Sequence, residues 1–371
     1  MNDDFNAVFH IWFTLLMSTK RFDCLNKLLE IYHTPDKIYA IKKQDELPCR
    51  VAENERLCQR ILDDSLKKEA EKIYVDARKR GIGVCSIADD NYPCFLREMY
   101  SPPLVLYYYG SIEEDYRRTV SVVGSRNADG YGRKVAYDLS KDLAFMGMTT
   151  ISGMARGVDS YAHKGSLDGG GRTIAVLGCG VDYVYPPENK QLYSRIIENG
   201  AVVSDYIPGT SPQKQFFPAR NRIIAGLSMG TVVVQARKSS GALITSDSAL
   251  KENRTVYAVP GNINCEMSQG TNDLIRNGCV CVTCARDIVE DMGFELMTDE
   301  MSQEGSCGNA GRGLLTNEER AVYEALRRNV SSAEEVCRTT NLDVQTVLSA
   351  VTMLKVHGLV EGIGFGSYVA R

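Results

Sequence analysis

From Thr119 to about 290, short apolar runs recur at 119–123, 148–152, 173–177, 201–204, 231–235 and 255–259, with longer mixed stretches between them. Runs such as Thr231-Val232-Val233-Val234 are β-branched throughout, which fits strands covered on both faces. The stretches between have helical spacing: Val135, Leu139, Leu143 and Met146 recur at three and four residues. This alternation predicts crossover helices joining a mostly parallel, doubly wound sheet. The stretch Ser121–Gly153 reads as strand, glycine-rich turn, helix, strand, with Gly130 and Gly132 in the turn and a helix from Lys134.

Residues 5 to about 80 read instead as a module of about four short helices. One face carries Phe9, Trp12, Phe13 and Leu16, another Cys24, Leu25, Leu28 and Leu29, and Pro35 interrupts the pattern. Two β-favouring runs, 82–87 and 104–109, predict edge strands. Residues 293–313 are polar and glycine-rich, the texture of a linker. Beyond them come three helical patterns and a terminal hairpin. Asn317 is the expected cap of the first and Ser332, with Glu335, of the second; 342–356 is the third. Three helices and a hairpin predict a winged-helix module. The expected division is 1–80 helical, 81–292 α/β, 293–313 linker and 314–371 winged helix.

The 371-residue chain carries 43 Lys and Arg against 47 Asp and Glu. Whole-chain charge therefore gives no support for nucleic-acid binding, and such a site must be a local basic patch. No run is long and apolar enough to span a bilayer. The start, Met-Asn-Asp-Asp, shows no signal peptide, and twelve scattered cysteines suit free thiols in a reducing cytoplasm.

Candidate chemistry gathers at the strand ends. Gly124-Ser125 offers backbone N–H groups to an anion, with Arg126 in the same loop. A dinucleotide fingerprint fails at Gly178-Cys179-Gly180, since Tyr183 stands where a third glycine is needed. In Ser152-Gly153-Met154-Ala155-Arg156-Gly157-Val158-Asp159, Asp159 and His163 share a helix face. They form either a catalytic pair or a cap with a structural hydrogen bond. The second is favoured, because no nucleophile accompanies them. Lys214, Arg220 and Arg222 surround Phe216 and Phe217, pairing charges for phosphates with rings for bases. One ring is expected in the core and the other exposed. Ser240 and Gly241, approached by Arg237 and Lys238, make another anion cradle or a plain capped turn. Cys279, Cys281 and Cys284 depart from zinc-knuckle spacing and read as buried thiols; neither they nor the four scattered histidines predict a metal, and no cofactor is expected.

Taken together, these strings resemble the bacterial DNA-processing protein A family (DprA, also called Smf). The resemblance is carried by Gly124-Ser125-Arg126, by Ser152–Asp159 with Ala162-His163, and by Tyr185-Pro186-Pro187-Glu188-Asn189. It continues through Phe217–Ser228, Ser240–Thr245, Val259-Pro260-Gly261 and Gly270–Ile275. It implies a Rossmann-like, dimerising domain with an N-terminal helical module similar to sterile alpha motif or helix-hairpin-helix domains, and a C-terminal winged helix. It implies binding of single-stranded DNA, protection of DNA taken up in natural transformation and loading of the RecA recombinase, without enzymatic activity. By position, Arg126 would hold a phosphate, Lys214 and Phe217 would supply a charge and a stacking ring, and Arg220 and Arg222 would line or brace the pocket. Gly153, Arg156, Ser240 and Gly241 would shape its floor. Asp205 and Gln235 stand where the family usually has glutamate, and Cys279 where alanine is common. Two other functions compete. A nucleotide-hydrolysing, phosphoribohydrolase-like enzyme lacks its glycine loop and glutamate here. A winged-helix regulator of double-stranded DNA would have only Lys355 as a basic residue on its third helix.

Overall fold

The computed structural model describes residues 3–17, 28–43, 47–48, 54–112, 116–294, 316–328, 331–340, 342–356, 360–364 and 367–370. They fall into two compact units, 1–296 and 297–371. Among them no helix is long and apolar enough to cross a membrane.

The first unit is built on a nine-stranded sheet. In chain order its strands are β1 (Gly83–Ser86), β2 (Val105–Gly110), β3 (Thr119–Val123), β4 (Thr149–Ser152), β5 (Thr173–Val176), β6 (Gly200–Ser204), β7 (Gly230–Val233), β8 (Thr255–Ala258) and β9 (Val280–Cys281). Their spatial order is β1-β2-β6-β5-β4-β3-β7-β8-β9. β2 is antiparallel to both β1 and β6, and the other pairs are parallel. The two runs expected as edge strands thus cap one side of the sheet. From β3 the chain winds outward through β4, β5 and β6, then returns to place β7 on the other flank of β3. The β3/β7 junction is a topological switch point, where a crevice opens beyond the strand ends.

Strand alternation sorts the core into two layers. Val120, Val122, Val232 and Val234 join Ala136, Leu139, Leu143 and Ala162 from helices Gly130–Phe145 and Val158–Asp168. Val123 and Val233 join Ile223, Ile224 and Ala249 from helices Phe216–Gly226 and Gly241–Lys251 on the opposite face. Both faces of β3 and β7 are therefore buried, which is why their sequences are rich in valine and carry only small polar residues, Thr119, Ser121 and Thr231.

The helix after β3 starts at Gly130, four residues before the expected Lys134. Asp129 caps it by accepting from Gly132 N–H at 2.9 Å. Gly132 lies in the first turn because a Cβ there would meet the Gln235 side chain at 2.1 Å.

The N-terminal helices include Asp3–Met17, Pro35–Tyr39, Glu55–Ile61 and Asp64–Lys79. Pro35 opens a helix at its first position, where a missing N–H is harmless. The boundary expected near residue 80 falls inside the first unit. Trp12, Phe13, Leu16 and Ile61 share one hydrophobic cluster with Ile82, Val105 and Tyr107 of the sheet edge.

The second unit has helices Asn317–Arg328, Ala333–Thr340 and Val344–Val356 and a three-stranded antiparallel sheet ordered Ser331–Ser332, Ser367–Ala370, Val360–Gly364. Val322, Leu326, Val336, Val347, Val351 and Leu354 form its core. The cap of the first helix is Thr316, not Asn317: Thr316 and Glu319 make reciprocal side chain–backbone bonds at 3.2 and 2.8 Å. Ser332 and Glu335 form the same box at 3.3–3.4 Å, as their spacing predicts. The linker expected over 293–313 lies outside the described residues apart from Gly293 and Phe294.

Candidate functional site

Beyond the ends of β3 and β7 the loops enclose a cleft of about 540 Å³. Gly124, Ser125 and Arg126 line it from the β3 side and Ser240, Gly241 and Thr245 from the β7 side. Lys214, Phe217 and Asn221 contribute from the start of helix Phe216–Gly226. Ser240 caps the helix that follows, and nothing lies within 4 Å of where a Gly241 Cβ would stand. The N-terminal end of that helix, with its partial positive charge, thus faces open space.

Six of the basic residues singled out by sequence separate into three pairs. No carboxylate of a described residue lies within ion-pair distance of Arg126 or Lys214. Arg126 sits over the Phe217 ring with its guanidinium 5.0 Å from the ring centre. Arg220, which lines the cleft, and Arg222 are both bound to protein groups. Arg220 is 3% exposed and donates to Gly153 O at 2.9 Å and also to Val176 O, tying β4 to β5. Burial lowers its pKa to about 10 even beside Asp159, whose carboxyl burial pushes up. Arg222 is outside the cleft lining. It donates to Ser101 O and to the Asp205 carboxylate at 3.1 Å, bracing the Pro102-Pro103 loop against the helix. Arg156 and Lys238 are exposed and paired, with Glu188 and, at 3.8 Å, Asp273. Arg156 borders a smaller hollow beside the cleft, and Lys238 is not among the lining residues.

The loop amides differ from the expectation for an anion cradle at Gly124-Ser125. Ser125 N–H already donates to Gln235 O at 2.8 Å, and Asn127 N–H donates to Ser125 Oγ at 3.1 Å. The cationic side of the cleft therefore rests on side chains and on the helix at Gly241. Gly157 holds this loop closed. At φ 74° it packs where a Cβ would stand 2.2 Å from Ser125 O. Gly153 makes room for Arg220 in the same way, with 2.4 Å to Nη2.

Asp159 and His163 do not bond to each other. Asp159 accepts from Ala155 N–H at 3.4 Å, while His163 Nδ1 meets Thr173 Oγ1 at 2.7 Å inside the core. Burial lowers the His163 pKa to about 3, so it is neutral at physiological pH. The expectation for the aromatic pair changes too: Phe216 and Phe217 are both half-buried. Phe216 packs on Tyr206 at 4.4 Å and Phe217 on Tyr185 at 5.5 Å. Cys281 is exposed and Cys279 half-buried, so the short strand β9 does not bury both thiols. Cys284 is exposed and bonds Asp287 at 3.3 Å.

Sequence reasoning missed two residues. Gln235 bridges the β7 end to the next helix start, donating to Asp129 Oδ1 at 2.9 Å and accepting from Asp129 N–H at 3.3 Å. The signal was its departure from glutamate: an amide can serve a carboxylate and an N–H at once. Tyr185 lines the cleft beside Phe217. Its signal was an aromatic ahead of two prolines in a strand-end loop.

The model of the family described as DNA recombination-mediator protein A matches residues 83–293. The chain belongs to this family. It is 38% identical to the DNA processing protein DprA of Bacillus subtilis over 236 residues, covering 62% of this chain and 80% of the relative. It is 42% identical to that of Streptococcus pneumoniae over 213 residues, covering 56% and 74%. Among solved structures, the S. pneumoniae DNA processing protein A superposes with a TM-score of 0.56 at 35% identity, over 70% of this chain and 95% of that one. The Helicobacter pylori protein, solved for its single-stranded DNA binding mode, gives 0.51 at 27% identity, over 57% and 95%. The α/β architecture with a mixed, mostly parallel sheet is thus DprA-like.

Proposed function

We propose that this chain binds single-stranded DNA in the β3/β7 cleft, protects it and delivers it to a RecA-type recombinase in natural transformation. One observation carries the binding reading: two cations with no carboxylate within ion-pair distance among the described residues, Arg126 and Lys214, line one cleft with a half-buried ring, Phe217, at the switch point of the sheet. Unpaired cations neutralise phosphates, and an aromatic ring at the same mouth stacks a base without reading its identity. The chain is a binding protein, not an enzyme. The carboxylate that lines the cleft, Asp159, is buried beside Arg220 and accepts from Ala155 N–H, so it is engaged within the protein.

We assign Arg126, Lys214, Phe217, Ser240 and Gly241 to DNA contact. Gly124, Ser125, Gly153, Arg220 and Arg222 shape and brace the contact surface, and Arg156 and Lys238 flank it. The order helix, strand, helix, helix, hairpin supports a winged-helix identity for the C-terminal unit. The N-terminal helices are read as a sterile alpha motif or helix-hairpin-helix layer, the protein as a cytoplasmic homodimer, and residues 293–313 as the linker of a three-part chain.

Anisotropy titration of a single-stranded oligonucleotide tests the site. Each phosphate contact on a single strand contributes about −0.7 to the slope of log K against log salt. Lys214→Ala and Arg126→Ala should each weaken binding and flatten the slope by about 0.7. Wild-type slopes in both variants would remove the cleft from consideration.

A further inference from the structure

Beside the cleft lies a hollow of about 70 Å³ that shares Arg126, Tyr185 and Phe217 with it and adds Arg156 and Pro186. Tyr185 stays 40% exposed at its mouth although it packs on Phe217 with the rings 32° from parallel, and its hydroxyl bonds no described residue. The loop that carries it is held at both ends. Cys179 Sγ donates to Tyr183 O at 3.8 Å, and Asn189 Nδ2 donates to Met154 O at 2.9 Å. An exposed ring on a fixed loop, next to a second ring and two arginines, is a ready stacking surface. Glu188 stands on the same lip and pairs with Arg156. A carboxylate there repels phosphate, and it neutralises the cation best placed to receive one beyond the cleft.

We propose that Tyr185 and the Arg156–Glu188 pair form a second nucleotide subsite for single-stranded DNA: Tyr185 stacks a base, and Arg156 exchanges Glu188 for the phosphate that follows. This rests on the cleft being the first phosphate and stacking site. Glu188 then acts as a built-in competitor. It keeps Arg156 positioned while the protein is empty and sets a threshold that short strands, which reach only the cleft, do not cross.

The test compares dT15 with an abasic 15-mer of the same phosphate count, binding wild type, Tyr185→Leu, Glu188→Gln and Lys214→Ala protein, each with its thermal unfolding checked. Tyr185→Leu should weaken dT15 about tenfold, the scale of one lost stacked base, and leave the abasic strand unchanged. Glu188→Gln should tighten both strands, because Arg156 no longer has to release a charged partner. Lys214→Ala should weaken both. Wild-type affinity in Tyr185→Leu and Glu188→Gln, with Lys214→Ala still weakened, overturns the second subsite and leaves the cleft standing. An equal loss on both strands in Tyr185→Leu also overturns it, since stacking acts on bases alone. Wild-type affinity in Lys214→Ala overturns the cleft, and the subsite with it.

Discussion

Individual residues show why a basic side chain near a site is not yet a ligand contact. Arg126 and Arg222 are both arginines beside aromatic rings, yet Arg222 is committed to Ser101 and Asp205 while Arg126 rests on a ring and feels the Asp159 carboxylate only from beyond ion-pair distance. Arg222→Ala should therefore lower the urea midpoint but leave the salt slope of DNA binding at the wild-type value, the opposite of Arg126→Ala. Gln235 makes a second residue-level case. It is 1% exposed and donates to the Asp129 carboxylate that caps the next helix. Gln235→Glu would set a buried carboxylate against the Asp129 carboxylate at the surface. The loss should be about 1–3 kcal/mol at pH 8, the scale of an unsatisfied buried group. It should shrink as pH falls and the new carboxyl protonates, and urea unfolding at two pH values checks both parts. That a glutamine stood where the family has glutamate was visible in the chain; that it closes a bridge to Asp129 was not, because 106 residues separate them.

Secondary-structure elements are where short-range patterns did most. Runs of β-branched residues mark β3 and β7, and i, i+4 spacing marks the helix after β3, because burial on both faces or one face leaves a local imprint. Arg220 shows what that imprint omits. Its helix aims the guanidinium at the ends of two strands 44 and 67 residues away in sequence. Arg220→Ala would leave two carbonyls and the Asp159 carboxylate without their cation, a change that costs about 3–5 kcal/mol for a buried pair. Loss of DNA binding in that variant would follow from unfolding, and a denaturation curve tells the two apart. Helix Val158–Asp168 adds a pH effect through His163. Its folded pKa, about 3, lies below the ordinary value of 6.5. Between those values the unfolded chain binds the extra proton, so stability falls as pH drops below about 6.5, by up to roughly 1.4 kcal/mol per pH unit. The buried Asp159 and Asp205 carboxyls, raised by burial, work in the other direction. The His163 share is therefore read as the difference between wild type and His163→Asn, in urea midpoints between pH 7.5 and 5.5.

For the molecule as a whole, the net charge of −4 hides the site. Arg156, Arg222 and Lys238 are paired with carboxylates, and the cleft is cationic because Arg126 and Lys214 have none within ion-pair distance among the described residues. The helical segment before residue 80 is part of the same hydrophobic structure as the sheet edge. Ile82, Val105 and Tyr107 are 1–3% exposed under it. A chain starting at residue 81 should therefore expose this face, bind a hydrophobic dye and aggregate. A soluble, cooperatively melting fragment with wild-type DNA affinity would show that the sheet does not need its helical cover.

The sequence by itself determined the class of fold, the order of its elements and the strand-end loops that carry chemistry, since each follows from the spacing of apolar residues, glycines and caps along the chain. Tertiary structure alone decided which cations lack carboxylate partners, why Gly153 and Gly157 must lack side chains, and where β7 meets β3 to open the cleft. Those outcomes depend on which distant groups become neighbours, and a charge or a small residue shows its partner only once the chain has brought the two together.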